Sequence, residues 1–293
     1  MLAALASLDG IQMVSALVKA LTYVSVLVAA GSVLVLVAIP EFDEPAQRTL
    51  RRAAVATALI GILFTAARLP VRAAFLWGGA DGATDPAMLG IVADSPLGTA
   101  AVWRVPALVA ICAAAFDRPW ARAVACLGVL LVAGTFAMRG HAVGEPRTGL
   151  AVLYSVHVLA AGFWIGAFLP LQSMALRDPV AAAPAAERFA KMALWAVAAL
   201  IAAGVAILFL LTGDPLAALE TPWGRFLTAK IALVAGLLGL AALNKLRLTP
   251  LMRRTADGRA LARSIRWEMA VAGLILLATA ALTTVASPEH AGM

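Results

Sequence analysis

"GLAVLYSVHVLAAGFWIGAFLPLQSM", residues 149–174, contains no Asp, Glu, Lys or Arg. About 20 helical residues cross the hydrocarbon core of a bilayer, so this stretch predicts a membrane-spanning helix. Comparable blocks recur along the chain and predict eight spans: 14–39, 50–69, 97–116, 120–138, 149–174, 189–211, 223–245 and 264–286. A transmembrane barrel would instead alternate over short segments. The expected fold is an all-α polytopic helical bundle, with residues 1–293 forming a single integral-membrane domain whose immediate partner is the lipid bilayer.

Composition agrees. The 293 residues are 63% hydrophobic and 13% charged, with a mean hydropathy of +0.94. Soluble domains are about half apolar and a quarter charged. The net charge of +7 resides in loops, and no soluble basic domain is present, so no nucleic-acid partner is expected. The start, "MLAALASLDGIQM", lacks the basic n-region of a cleavable signal and reads as leading into a retained span. Cys112 and Cys126 lie in apolar segments and suggest no disulfide framework.

Lys and Arg concentrate in cytoplasmic loops. The loops after odd-numbered spans carry Arg48, Arg51, Arg52, Arg118, Arg122, Arg177, Arg188, Lys191 and the basic run from Lys245 to Arg266. The loops after even-numbered spans carry chiefly Arg72, Arg139, Arg147 and Arg225. Odd loops are therefore expected inside, both termini outside, and "RGHAVGEPRTG" (139–149) outside. Trp77 and Trp223 are expected at the outer interface, and Trp120 and Trp267 at the inner one; Trp164 and Trp195 lie too deep for an aromatic belt. "LGTAAVWR" (97–104) and "WGRFLTAK" (223–230) echo each other, a weak sign of a repeat relating 1–138 to 149–286.

His157 interrupts the opening stretch. In a helix starting near Gly149 it lies roughly 12 Å along the axis. Ala160, Ala161 and Trp164 share its face, and small residues allow close helix approach. An ionisable side chain inside a span points to function, the alternative being a hydrogen bond across helices. His141 follows the fourth span on the same outer side, with Met138 just before it. Imidazole and thioether together suit copper. His290 is a further candidate ligand from the last outer segment. For Met138 the plain alternative is packing, and for His290 a frayed tail.

Arg104 and Lys230 each follow a glycine by six residues. They read either as interfacial anchors or as groups holding an anionic or hydrated substrate. Glu268 opens the last span beside Arg266, and an ion pair with a neighbouring arginine is expected. Cys112 and Cys126 fall at similar inner depth, as Cu(I) ligands on an inward path or as small apolar filler. No P-loop, GxSxG, HExxH, CxxC or CxxCH motif occurs, so no enzyme activity and no organic cofactor is expected.

"RGHA", "HVLAAGFWIGAFLPL", "WGRFLTAKIALVAGLLGLAALNKLRLTP" and "SIRWEMAVAGLILLATAALTTVASP" together resemble the CopD family of bacterial copper-resistance membrane proteins, most clearly over 139–288. The resemblance implies a multi-pass inner-membrane protein handling copper ions, beside a separate small periplasmic copper-binding protein. It matches His141 to the "GHA" histidine and His157 and Trp164 to the "HxxAxxxW" positions. Gly224, Lys230 and Glu268 also fall on family-like positions. The function expected is copper import from periplasm to cytoplasm through an outer histidine site. Two alternatives stay open: a non-transporting factor delivering copper to a cuproprotein, and a haem-binding electron-transfer protein.

Overall fold

The computed structural model describes residues 10–138, 147–212 and 222–285. His141 and His290 lie outside the described residues. Everything regular among those described is helical. The helices are α1 (Gly10–Ala38), α2 (Glu44–Trp77), α3 (Pro86–Ala93), α4 (Pro96–Ile111), α5 (Pro119–Gly134), α6 (Arg147–Gly166), α7 (Phe168–Arg177), α8 (Pro179–Thr212), α9 (Pro222–Leu243), α10 (Thr249–Thr255) and α11 (Arg259–Val285). Each predicted span overlaps a helix or the α6–α7 pair, but the fourth meets α5, which has 16 residues, and neither α5 nor α11 is among the helices long and apolar enough to cross. Among the described residues, six helical segments are long and apolar enough to cross a membrane.

Local chemistry sets the boundaries. Asp43 caps α2 by accepting from the Ala46 amide at 2.8 Å, and Gly78 ends it in the left-handed conformation at φ 79°. Both devices satisfy groups that a helix end leaves orphaned. Asp85 caps α3 in the same way, at 2.8 Å from the Met88 amide. Proline stands in the first turn of α2, α3, α4, α5 and α10, where its missing N–H costs nothing. Between α9 and α10 the chain takes one π-helical turn, Asn244–Leu248.

α1 is the central helix, packed against α2, α4, α5, α6 and α11. Its two sides feed two apolar clusters. Val26, Ala29 and Val33 meet α2, α4 and α5. Val35 and Ile39 meet α6, α7, α8 and α11. The α1–α6 crossing is unusually close. A methyl group on Gly31 would strike the main chain of Gly162, and one on Gly166 would strike the main chain of Gly31. Gly162 and Gly166 form a GxxxG pair, the spacing that lets membrane helices touch backbone to backbone. Large apolar side chains cover the outside: Val102 is 70% exposed and Leu246 71%. Such a surface belongs against lipid tails rather than water.

The loops after odd-numbered spans gather at one end of the bundle and are joined by ion pairs. Arg51 and Arg122 both reach Asp117, at 2.6 and 2.7 Å. Arg177 pairs with Asp43 at 3.1 Å, Arg188 with Glu41 at 3.2 Å, and Arg253 with Glu187 at 3.2 Å. The Asp117 carboxyl is held below its usual range by the hydrogen bonds from Arg122 and Arg51. At the other end, the Lys19 ammonium donates to the Thr283 carbonyl at 2.7 Å, joining α1 to α11.

Trp195, too deep for an aromatic belt, is 78% exposed on α8, so its place is explained by lipid contact. One expectation fails. Glu268 pairs with no arginine among the described residues. Its partner is the Asn244 side chain, while Arg263 and Arg266 are exposed on another face of α11.

Candidate functional site

The half of the bundle opposite the ion pairs collects polar side chains from α1, α4, α6 and α9. On α6, Val152 and Val156 near its start are exposed, while Ala160, Phe163 and Trp164 toward its end are buried. Tyr154 and His157, three residues apart, follow one another along α6 and point toward the same region. His157 meets α8 at the Leu200 main chain and beside Gly204. A methyl group on Gly204 would stand 3.9 Å from the imidazole Cε1 and 4.0 Å from Nδ1. The glycine therefore leaves the ring room on this side. His157 Nδ1 is buried and has no hydrogen-bond partner.

Lys230 of α9 is half-buried and lies within electrostatic reach of His157 and of Tyr23 on α1. Tyr23 in turn neighbours Tyr154. The chain contains two tyrosines, and both stand here.

Tyr23 links this group to a second one. Its ring lies 5.7 Å from that of Phe136. The Arg104 guanidinium sits 4.5 Å over the other part of the same aromatic pair, the Phe136 ring. Arg104 Nε donates to Thr135 Oγ1 at 2.9 Å, and that hydroxyl donates to the Val132 carbonyl at 2.7 Å. With 1% of its surface exposed, Arg104 does not snorkel. It is a buried cation fixed between α4 and α5. Cation–π stacking of a desolvated guanidinium contributes about 2 kcal/mol, which helps offset its burial.

The remaining sequence candidates divide by place. Met138 is half-buried in the turn after α5. Trp164 is buried deeper along α6, and its indole N–H has no partner. Cys112 and Cys126 are free thiols packed on one apolar cluster. Glu268 belongs to the ion-paired half, away from His157. Among the described residues, no three His, Cys, Asp or Glu side chains converge as a metal cage.

The sequence reading missed Tyr23, Tyr154, Thr135 and Phe136 around the outer cluster, and Asn244 and Ser264 around Glu268. Rarity was the available signal for three of them. The tyrosines are the chain's full complement, and Asn244 is a lone amide closing an apolar helix.

Comparison with known proteins accounts for both halves of the chain. The family described as "Copper resistance protein D-like, N-terminal domain" matches residues 10–146, and "Copper resistance protein D" matches residues 183–282. Copper resistance protein D of Pseudomonas syringae pv. tomato is 29% identical over 81% of this chain and 84% of its own length. Inner membrane protein YebZ of Escherichia coli (strain K12) is 30% identical over 45% of this chain and 47% of its own length. No solved structure matches. The first four spans, whose signatures are the weaker ones by eye, thus carry a family match of their own, and the chain belongs to the copper resistance protein D family of multi-pass membrane proteins.

Proposed function

We propose that this protein carries copper inward across the bacterial inner membrane, through an outer-side site centred on His157. The observation that carries the reading is the imidazole itself. It stands within a span, its Nδ1 is buried without a partner, and it faces the glycine gap of α8. An intramembrane ionisable group left with an unused lone pair or proton is a functional group by default, and neutral imidazole is a common metal ligand. Family membership supplies copper as the metal. His141, Met138 and His290 are the proposed further ligands, with imidazole and thioether suiting copper in either oxidation state.

Sidedness follows from charge. The ion-paired end holds most of the Lys and Arg, which marks it as cytoplasmic. The His157 cluster then opens toward the periplasm, where a small copper-binding protein could deliver the ion. Arg104 and Lys230 flank the route as fixed positive charges, and Cys112 and Cys126 are candidate soft ligands on the inward side.

The test is copper accumulation in cells producing wild type, His157→Ala, His141→Ala and the double variant at matched membrane levels. Accumulation should fall to the vector background in the double variant. Undiminished uptake in a well-expressed double variant would refute the site. Flux in proteoliposomes separates transport from delivery, since a delivery factor binds copper but moves none. A Soret band in the purified protein would favour the haem reading instead.

A further inference from the structure

Glu268 is a buried acid with no assigned task. It lies in the first third of α11 and is 4% exposed. Its partner is the Asn244 side chain, the first residue of the π-helical turn after α9. Two more polar atoms are sequestered around it. Asn244 Oδ1 and Ser264 Oγ are both buried without hydrogen-bond partners. Ser264 is 6% exposed and one helical turn before Glu268, on the same buried face of α11. π-Helical turns recur at functional sites.

Among the described residues, no cation answers the carboxylate. The charged groups on the elements packed against α11 face elsewhere, Lys230 of α9 toward His157 and Tyr23. Arg259, Arg263 and Arg266 on α11 itself are exposed, as are Lys245 and Arg247 on the π-turn and Arg253 and Arg254 on α10. Gln172 of α7 is neutral and donates to the Ala262 carbonyl at 3.2 Å. Arg177 of α7 is engaged with Asp43. Lys19 of α1 binds Thr283 at the far end. A buried carboxylate facing one amide and no cation must bind something positive. The oxygen acceptors beside it, Ser264 Oγ and Asn244 Oδ1, match the single donor of a carboxylic acid.

We propose that Glu268, Asn244 and Ser264 form a proton-binding site in the inner half of the bundle, and that Glu268 exchanges its proton as copper passes. The coupling rests on the transport reading above; the site does not. In the exchange the carboxyl O–H bond breaks, the proton goes to water at the cytoplasmic end, and the carboxylate charge is balanced by the arriving copper cation. Reprotonation from water on the periplasmic side follows once copper leaves, so each cycle moves one proton inward with the copper. No electron is transferred.

The experiment uses the full chain in liposomes. Infrared difference spectra across a pH titration should contain a protonated-carboxyl C=O band that Glu268→Gln removes and Glu268→Asp shifts. Superimposable wild-type and Glu268→Gln spectra would overturn the site. In the same liposomes, a lumenal pH dye should record proton movement on adding copper, falling to the protein-free background in Glu268→Gln. Wild-type proton movement in that variant would overturn the coupling. A titrating Glu268 band in a protein that moves no copper supports the site and sinks the transport reading, so the two failures are distinguishable.

Discussion

Adding one methyl group at each of three glycines of the α1–α6 crossing should give three different results. At Gly31 the new carbon would sit 2.6 Å from the Gly162 carbonyl carbon and 3.0 Å from the Gly166 amide nitrogen. Carbon contacts relax to about 3.5–4.0 Å, so the helices must part by roughly 1 Å, which forfeits up to about half of each dispersion contact along the seam. Overpacking costs about 1–3 kcal/mol, and the struck atoms are backbone that cannot rotate away, which favours the upper end. Alanine returns about 1 kcal/mol of helix propensity. The net for Gly31→Ala is a loss of about 2 kcal/mol, some 30-fold in the folding equilibrium. Gly166→Ala should behave alike, since its methyl would lie 2.7 Å from the Ser32 amide nitrogen. At Gly162 the nearest atom is 3.5 Å away, an ordinary contact, so Gly162→Ala should be neutral or slightly stabilising. Unfolding in mixed detergent micelles, followed by circular dichroism, reads all three. Equal shifts, or Gly162→Ala as the worst, would refute the crossing geometry.

Other expectations follow from the two ends of the bundle. Asp117 has a depressed carboxyl pKa, so its contribution is complete above the usual carboxylate range and is lost as pH falls through the folded value. Asp117→Asn should therefore lower the melting temperature slightly at neutral pH, with the gap to wild type closing in acid; a constant gap would deny the ion pair. Thr135→Val leaves Arg104 Nε without its acceptor and should cost about 1–3 kcal/mol in the same detergent unfolding assay. Gly204→Ala should keep copper binding, because its methyl meets the imidazole at ordinary contact distance. Gly204→Phe should abolish copper binding in equilibrium dialysis by filling the space beside Nδ1.

The helical character and positions of the spans were legible because they depend on segment-averaged hydropathy, which tertiary packing does not alter; six of the eight, among the described residues, are long and apolar enough to cross a membrane. What hydropathy leaves out is rotation about each helix axis. Trp164 and Trp195 illustrate this. Both are deep in apolar runs, yet one is buried and the other faces outward, because a single-letter pattern that is apolar on every side has no moment to orient it. On α6 the small residues Ala160 and Ala161 broke that symmetry, so the inward stripe from His157 to Trp164 could be read.

The same limit explains the polar residues. His157 and Arg104 were visible because a charge or imidazole in an apolar run is conspicuous wherever it points. Their neighbours were not, because Thr135, 31 positions from Arg104, and Tyr23, on another helix, are chosen by three-dimensional neighbourhood. Glu268 shows the cost of reasoning from adjacency alone. Arg266 is two positions away, but residues i and i+2 on a helix point nearly oppositely, so the nearest cation in sequence is excluded by geometry. Asn244, on another helix, takes its place. The ion pairs that do form obey the converse rule. Arg51–Asp117, Arg177–Asp43, Arg188–Glu41 and Arg253–Glu187 each join segments far apart in sequence at the cytoplasmic end, while Arg48–Glu44 lies within one turn of α2. Glu268, buried inside the bundle, has no arginine partner among the described residues. An acid kept inside the bundle away from those arginines stays free to bind a mobile positive charge.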